Sequence, residues 1–396
     1  MPGLSYIPMA KITAILALWG LYRVGGLSSR ILRQLPPESS YLLALIGLFY
    51  VSGAFSPIWR SGAIIHAIDF SKSYVVWLLT YLLVTDFGKF RRVVFIQTAS
   101  VVVISLVSVA KGHSTARLEG VLGGIYGNPN DLAFAIVLCL PFALAFLLST
   151  NRMVSKLAWF FGILMMGVAL LLTASRAGFI DLVVAGSVCL WHFGVRGKRL
   201  YLIAVTAALA LLLMMVAGNL LKERLLATTG DSVSTVDQEK AYTSFEARKY
   251  LMIRSLEGIE HYPLLGIGIN NFMSYSGIWH EVHISYLQIA VEGGVPALIL
   301  YLLFFYRGFG NLRKLRGMPN LDAQTTLFVG ALHSSLIGFA VGALFAPEAY
   351  QFFPYFSVAY TSALLAIVQQ QAPVSEVRPV RLSSMARLHA ETYAPS

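Results

Sequence analysis

Long apolar runs separated by short polar loops dominate this chain. Each run holds about 17 to 24 residues, and ~20 apolar residues in a helix cross the ~30 Å hydrocarbon core of a bilayer. The pattern predicts about eleven transmembrane helices, at 7–22, 41–57, 62–85, 92–110, 131–149, 157–174, 178–195, 200–220, 284–306, 325–346 and 352–370. We therefore expect an all-α polytopic membrane protein with one long external loop.

The composition supports this fold class. Of the 396 residues, 57% are hydrophobic and only 12% are charged, whereas soluble domains contain about 45–50% apolar and about 25% charged residues. The two cysteines, Cys139 and Cys189, both lie inside apolar runs. A disulfide scaffold and a cysteine metal site are therefore excluded.

The basic residues predict the orientation of the helices. Eighteen of the 30 Lys and Arg residues lie in one set of alternate loops and in the C-terminal tail, against four in the other short loops. Because short cytoplasmic loops carry the excess of basic residues, the first set should be cytoplasmic. The net charge of +11 then reflects contact with anionic membrane lipids, and no nucleic-acid partner is expected. The external segments are 111–130, 175–177, 221–282 and 347–351.

The chain divides into four predicted parts. Residues 1–220 form about eight N-terminal transmembrane helices, the first of them uncleaved, because no small-residue cleavage site follows it. Residues 221–282 form the external loop, and 284–370 form about three further transmembrane helices. The polar tail 371–396 contains Pro and Ser and is predicted to be a disordered cytoplasmic end.

Two external turns hold unusual polar residues. Arg117 leads into a glycine-rich stretch that ends in Asn128-Pro-Asn-Asp131, where Asn130 or Asp131 is the predicted N-cap of the next span. Arg176 lies in a very short turn between two apolar spans. Such an arginine either extends outward to water or serves a function, with Asp181 as a possible partner.

The long loop contains a predicted amphipathic helix at 244–261. Thr243-Ser-Phe-Glu246 fits a capping box, and Pro263 ends the segment. At 100° per residue, one face carries Phe245, Arg248, Met252, Leu256 and Ile259. Arg248 is therefore predicted to face the membrane domain, where it either meets an anion or extends to water at the edge of the face.

Two further features lie around the entry to the next span. His280-Glu-Val-His283 invites a metal interpretation, but no third ligand is evident. A histidine here could act as a base or phosphate donor, or form an interfacial hydrogen bond. Glu292 falls on the opposite face of a regular helix from His283, so the two could share a site only if the helix unwinds at Gly293-Gly294.

Three segments together resemble the O-antigen ligase and polymerase family of bacterial membrane proteins. They run from Arg117 to Gly-Asn-Pro-Asn-Asp-Leu-Ala133, through Thr-Ala-Ser-Arg176-Ala-Gly, and from Arg248 through Pro-Leu-Leu-Gly-Ile-Gly to His283-Ile-Ser-Tyr-Leu and Glu292-Gly-Gly. Ile284 replaces the Asn that usually follows the motif histidine, which leaves the choice between His280 and His283 open.

The resemblance implies a glycosyltransferase, either a ligase or a polymerase, in the bacterial inner membrane. It would move a glycan from a polyprenyl pyrophosphate to a sugar hydroxyl of a glycan or lipid acceptor on the periplasmic face, without cofactor or metal. A single displacement would invert the anomeric carbon. The implied catalytic residues are Arg176 and Arg248, which suit the pyrophosphate, and His283, which would orient or deprotonate the acceptor. The implied substrate-binding residues are Arg117, Asn130 and Glu292.

A multi-pass solute or anion transporter is the alternative function. The charged residues Asp69 and Lys72 in a span, and the interrupted helix at Gly293-Gly294, favour it, because discontinuous helices mark transport sites. No matching interrupted segment is found in the other half of the sequence. An external loop with an inward-facing arginine also suits a cover over a lipid substrate better than a transport site.

Overall fold

A computed structural model describes residues 9–23, 35–112, 117–120, 128–209, 211, 215, 235–278, 280–319 and 321–371. Within these ranges the chain is helical with connecting turns and contains no strand. The predicted glycine-rich stretch at 121–127, the loop up to 234 and the tail beyond 371 lie outside the described residues.

The helices follow the predicted spans in order. They are α1 (Met9–Arg23), α2 (Pro37–Ala54), α3 (Arg60–Leu83), α4 (Phe87–Lys111), α5 (Pro129–Ser149), α6 (Met153–Thr173), α7 (Arg176–Leu190), α8 (Thr235–His261), α9 (Phe272–Ser276), α10 (Ser285–Gly317), α11 (Ala323–Gly342) and α12 (Phe352–Gln371). A π-helical turn, Trp191–Arg196, extends α7, and residues 201–209 are also helical.

Seven of these helices are long and apolar enough to cross a membrane. They are α4, α5, α6, α7 with its π turn, α10, α11 and α12. The all-α polytopic fold is thus confirmed, whereas the count of eleven spans stays a prediction.

Several helix boundaries differ from those predicted. The N-cap of α5 is Asn128, whose side chain accepts a hydrogen bond from the Asn130 backbone N–H at 2.9 Å, rather than Asn130 or Asp131. Pro129 then occupies the first helical position, where its missing N–H has no consequence. Helix α8 begins at Thr235 instead of 244, because the polar residues before the predicted capping box are themselves compatible with a helix.

The long helices pack as two connected groups. Helix α5 lies among α4, α6, α7 and α11, while α2, α3, α10 and α12 pack against one another. Helix α8 packs on α10. We call the end where α5, α7 and α10 begin the loop face, and the end where α10 finishes and α11 begins the opposite face.

Helix α10 is interrupted at Gly294, whose φ of 80° and ψ of 172° are not helical. Pro296 follows the break. The interruption expected at Gly293-Gly294 is therefore present. In α3, Lys72 forms an ion pair with Asp69, and both side chains are about half exposed, which agrees with a locally neutralised pair on a helix surface.

Candidate functional site

The turn between α6 and α7 presents Arg176 at the loop face. Ala174 ends α6 in the left-handed region with φ 47°, a conformation that non-glycine residues rarely adopt. The Ser175 hydroxyl oxygen caps α7 by accepting a hydrogen bond from the Gly178 N–H at 3.1 Å. Arg176 is thus the first residue of α7, and its side chain is exposed.

Arg117 and Asn130 hold this turn in place. The Arg117 guanidinium donates from Nε to the Thr173 carbonyl at 2.9 Å and from Nη2 to Asn130 Oδ1 at 2.8 Å. The Ser175 hydroxyl donates to the same Asn130 oxygen at 2.8 Å. These bonds connect the two residues with the segment preceding Arg176, while their predicted contact with substrate stays a prediction.

Arg248 lies on the face of α8 that packs against the membrane domain. The buried residues of that face are Leu251, Ser255 and Gly258, whereas Met252 and Leu256 are largely exposed. The buried face of α8 is therefore shifted by about one residue from the predicted apolar face, because α8 packs through small side chains as well as large ones. The orientation of Arg248 agrees with the expectation: its side chain is half-buried, and its Nε is buried without a hydrogen-bond partner.

The guanidinium groups of Arg248 and Arg176 lie close enough to repel each other. Burial lowers the pKa of Arg248, and the positive charge of Arg176 lowers it further. An exposed Arg176 beside a half-buried Arg248 forms a favourable environment for an anion with several oxygens.

His283 completes this group. It precedes α10, and the next residue, Ile284, is extended with φ −135°, so the helical spacing used to relate His283 to Glu292 does not apply. Burial lowers the pKa of His283 to about 4, with further contributions from Arg248 and His280. The imidazole is therefore neutral at pH 7. Arg248 is thus close enough to act electrostatically on both Arg176 and His283, while the side chain of His280 is exposed.

Glu292 is fully buried and organises the glycine-rich turn between α8 and α9. Its Oε1 accepts a hydrogen bond from the Phe272 N–H at 3.3 Å, and its Oε2 accepts one from the Tyr350 hydroxyl. Its backbone carbonyl accepts from the Gly268 N–H at 2.9 Å. At Gly266, with φ +66°, a Cβ would come within 2.5 Å of the Glu292 carbonyl carbon, so this close approach requires glycine.

Asp181 does not pair with Arg176. Its side chain is buried, neither carboxylate oxygen has a hydrogen-bond partner, and it faces Gly338 and Gly342 of α11. Five residues along a helix rotate a side chain by about 140°. The two residues consequently lie on different sides of α7, so Asp181, the possible partner suggested by the sequence, does not bind Arg176.

Three carboxyl groups that the sequence did not single out as a site also lie at the loop face. Asp131 is within hydrogen-bonding reach of Glu348, and Glu281 is close enough to act electrostatically on both. Burial raises the pKa of Glu281 and, more strongly, that of Glu348. Among the residues that the structure describes, no group of three or more His, Cys, Asp or Glu side chains could hold a metal ion.

Substituting Gly178 tests how tightly the Arg176 turn is packed. A Cβ at Gly178 would lie 2.7 Å from the Ala133 Cβ of α5. We expect Gly178→Ala to destabilise the protein by about 1–3 kcal/mol through overpacking, measured as a lower midpoint of thermal unfolding in detergent.

Two variants on the same helices serve as controls. Gly186→Ala places its Cβ in open space on α7 and should leave the midpoint unchanged or slightly raised. Adding Ala133→Gly to Gly178→Ala should recover most of the loss. If the double variant stayed as unstable as Gly178→Ala, contact between these two residues would not be the cause.

Comparisons with known proteins identify the segment that carries most of this site. Residues 160–302 match the family model described as O-antigen ligase. The curated proteins include no match to the chain. The chain is also similar to one chain of a solved structure that reports the "structural coordination of polymerization and crosslinking by a peptidoglycan synthase complex". That similarity covers 85% of this chain and 97% of the other, at 16% identity and a TM-score of 0.45.

The family match includes Arg176, Arg248, His283 and Glu292 and agrees with the resemblance expected from the motifs. Through residues 160–302, the chain is therefore similar to the O-antigen ligase family.

Proposed function

We propose that this protein transfers a glycan from a polyprenyl pyrophosphate to a sugar hydroxyl. The observation that carries the proposal is that Arg248 lies within electrostatic range of both Arg176 and His283 at the loop face. Two neighbouring guanidinium groups, that of Arg248 half-buried and that of Arg176 exposed, complement a pyrophosphate, which carries several negative oxygens. A neutral histidine beside them can accept the proton that an attacking hydroxyl must lose.

The transfer proceeds in one displacement. The acceptor oxygen bonds to the anomeric carbon as the bond from that carbon to the phosphate oxygen breaks, and the configuration inverts. The hydroxyl proton passes to His283, and the electron pair of the broken bond stays on the pyrophosphate. Arg176 and Arg248 stabilise the charge that develops there, which is commonly the largest catalytic contribution. The protein side chains carry these roles, so we propose a reaction independent of metal.

Glu292, Arg117 and Asn130 contribute by positioning. The buried carboxyl group of Glu292 holds the turn that follows α8. Arg117 and Asn130 hold the turn that carries Arg176. We propose that these residues support the catalytic residues in this way, as preorganised sites require, and that they also contact the substrate.

The loop face is proposed to be periplasmic and the C-terminal tail cytoplasmic. On the opposite face, a cavity of about 450 Å³ is lined by Arg196, Arg199 and Arg316, which supports contact of that face with the anionic inner leaflet. In a variant without native cysteines, a membrane-impermeant thiol reagent added to intact cells should label Lys249→Cys and spare Lys314→Cys. The reverse labelling would invert the proposed orientation.

The pH dependence of transfer should reflect the unusual pKa of His283. If its neutral imidazole is the base, the acid limb of kcat/KM, which reports the free enzyme, should have its midpoint near pH 4 instead of 6.5. The acid limb of kcat should have its midpoint at higher pH. Bound pyrophosphate offsets the charge of Arg248, which otherwise lowers the pKa of His283. A kcat/KM midpoint near 6.5 would contradict the proposed environment of His283.

The transporter alternative can be separated by assaying the purified protein in detergent micelles. A micelle has no sealed compartment, so only a transferase can give a measurable product there. We expect a fluorescent polyprenyl-pyrophosphate-linked glycan to be joined to an acceptor glycan in micelles containing EDTA. Absence of joined product, together with uptake of the glycan by sealed proteoliposomes, would favour transport.

A further inference from the structure

The cavity of about 450 Å³ at the opposite face lies between the end of α7, the end of α10 and the start of α11. Its volume falls within the usual range of small-ligand pockets, ~300–1,000 Å³. Three arginines from different segments line it: Arg196 ends the π-helical turn, Arg199 follows that turn, and Arg316 lies in the last turn of α10. Among the described residues that line the cavity, none is an Asp or Glu. The lining is therefore strongly positive.

The chain after the π-helical turn folds back tightly and fixes the position of Arg199. The Arg199 backbone N–H donates to the Gly194 carbonyl at 2.7 Å. A Cβ at Gly197 would come within 2.3 Å of the Phe193 carbonyl oxygen and 3.3 Å of Arg199 Nη1. This close approach requires glycine at position 197 and holds the Arg199 guanidinium against the turn. The backbone itself thus places the charge at the cavity.

A pair of histidines connects the π-helical turn with α11. The His192 Nε2 and His333 Nδ1 atoms lie 2.9 Å apart, within hydrogen-bonding distance. The two segments are in close contact there, since a Cβ at Gly330 of α11 would lie 3.1 Å from the His192 Cβ. Arg316 is close enough to act electrostatically on both histidines. Contacts within the protein therefore hold the arginine-bearing segments around one cavity.

The positive charge of the three arginines is not neutralised by carboxylates. In the part of the chain that the structure describes, no ion pair involves Arg196, Arg199 or Arg316. Arg196 is close enough to Arg316 to repel it. Asp322 is near in the chain, but its carboxylate caps α11 by accepting the Thr325 N–H at 2.8 Å. Because like charges around one cavity repel one another, an anion that binds between them is favoured.

The lining favours a phosphate that is attached to an apolar group. A guanidinium donates paired hydrogen bonds to phosphate oxygens, so several guanidiniums suit a group with several such oxygens. The same cavity is lined by the apolar residues Met318, Leu321 and Leu327. These residues can contact the hydrophobic part of a lipid, and basic pockets between membrane helices are suited to phospholipid headgroups. A free anion would make no use of the apolar wall.

We infer that this cavity is a phosphate-binding site, in which Arg196, Arg199 and Arg316 donate hydrogen bonds to the phosphate of one phospholipid. The site is separate from the proposed transfer site, because Arg176 begins α7 and Arg196 ends its π-helical extension. Binding at this site does not require glycan transfer. Failure of the proposed function would therefore leave the inference standing.

Native mass spectrometry of the delipidated full-length protein in a neutral detergent tests the binding. Dioleoylphosphatidic acid is the lipid probe, and oleate, which has a carboxylate in place of the phosphate, is its control. We expect one phosphatidic acid to bind saturably and oleate to bind about tenfold more weakly, because a carboxylate has fewer oxygens for charge-assisted hydrogen bonds. Equal affinities would overturn the phosphate assignment. Displacement of the lipid by an equal concentration of inorganic phosphate would overturn the assignment to a phospholipid and indicate a free anion.

A variant that keeps the charge tests the role of the guanidinium groups. Arg196→Lys/Arg199→Lys/Arg316→Lys retains three positive charges but loses the paired donors. It should bind phosphatidic acid about tenfold more weakly, as the loss of charge-assisted hydrogen bonds predicts, and should keep the thermal unfolding midpoint of the wild type. If the triple variant does not fold, Arg316→Lys alone, at an exposed residue, should weaken binding in the same direction. Unchanged affinity in the folded variant would overturn the inference.

A second triple variant controls for the total charge of this face. Arg92→Gln/Arg152→Gln/Lys156→Gln removes three exposed basic residues that do not line the cavity. They lie near the starts of α4 and α6, and Arg91 of α4 contacts Gln324 of α11 at 3.1 Å, so the same face is altered. This control should bind phosphatidic acid as the wild type does. A loss as large as that of the lysine variant would overturn the inference, because general attraction of anionic lipids would then explain the binding.

Discussion

Replacing His283 with alanine should lower the rate of glycan transfer about 10²–10⁴-fold, the usual effect of removing a positioned general base. The effect should fall mainly on kcat, because the imidazole accepts a proton only as the acceptor hydroxyl attacks. The side chain is half-buried beside Arg248, and its low pKa keeps it neutral and able to accept that proton. Initial rates with a fluorescent donor measure the change.

His280→Ala is the matched control, since it removes an exposed imidazole three residues earlier. It should reduce transfer much less than His283→Ala, and both variants should retain the thermal unfolding midpoint of the wild type. A larger loss at His280 would reassign the catalytic role. Small, equal losses would remove histidine from the mechanism.

Arg248→Lys should lower transfer about 10²-fold, although the positive charge is retained. A guanidinium can donate two parallel hydrogen bonds to a phosphate, and a lysine ammonium provides only a point charge. Loss of one donor to a developing oxyanion typically lowers kcat about 10²–10³-fold. Arg176→Lys should behave similarly, because Arg176 lies beside Arg248 in the same charged group.

Arg254→Lys provides the control on the same helix. The Arg254 guanidinium donates to Glu257 at 2.5 Å and lies over the Tyr275 ring. Transfer should stay near the wild-type rate in this variant. If Arg248→Lys and Arg176→Lys also retained near-normal rates, pyrophosphate recognition would have to be assigned to other residues.

The features that were predictable from the sequence depend on short-range patterns. Apolar runs are long enough to locate membrane helices without any knowledge of their packing. The amphipathic pattern of α8 also predicts correctly that Arg248 faces the membrane domain, although the buried face is shifted by about one residue from the predicted one. The neighbours of Arg248 could be predicted less well, because Ser255 and Gly258 allow close approach and carry no hydrophobic signal.

Contacts between distant segments account for what the sequence did not indicate. Asp181 faces α11 rather than the nearby Arg176, since helix rotation separates residues that are close in the chain. Glu348 lies more than 200 residues from Asp131, yet α12 and α5 bring their carboxyls to one cavity. A carboxyl residue in a short turn between two apolar runs was the available signal for Glu348.

The central claim, glycan transfer from a lipid pyrophosphate, is tested most directly by measuring both products of one reaction. The purified protein is incubated with a defined polyprenyl-pyrophosphate-linked glycan and an acceptor, and the new glycosidic bond and the released polyprenyl pyrophosphate are quantified together. We predict one released carrier for each bond formed, with NMR showing inversion at the anomeric carbon. Bond formation without carrier release, carrier release without a joined glycan, or retained anomeric configuration would contradict the proposed mechanism.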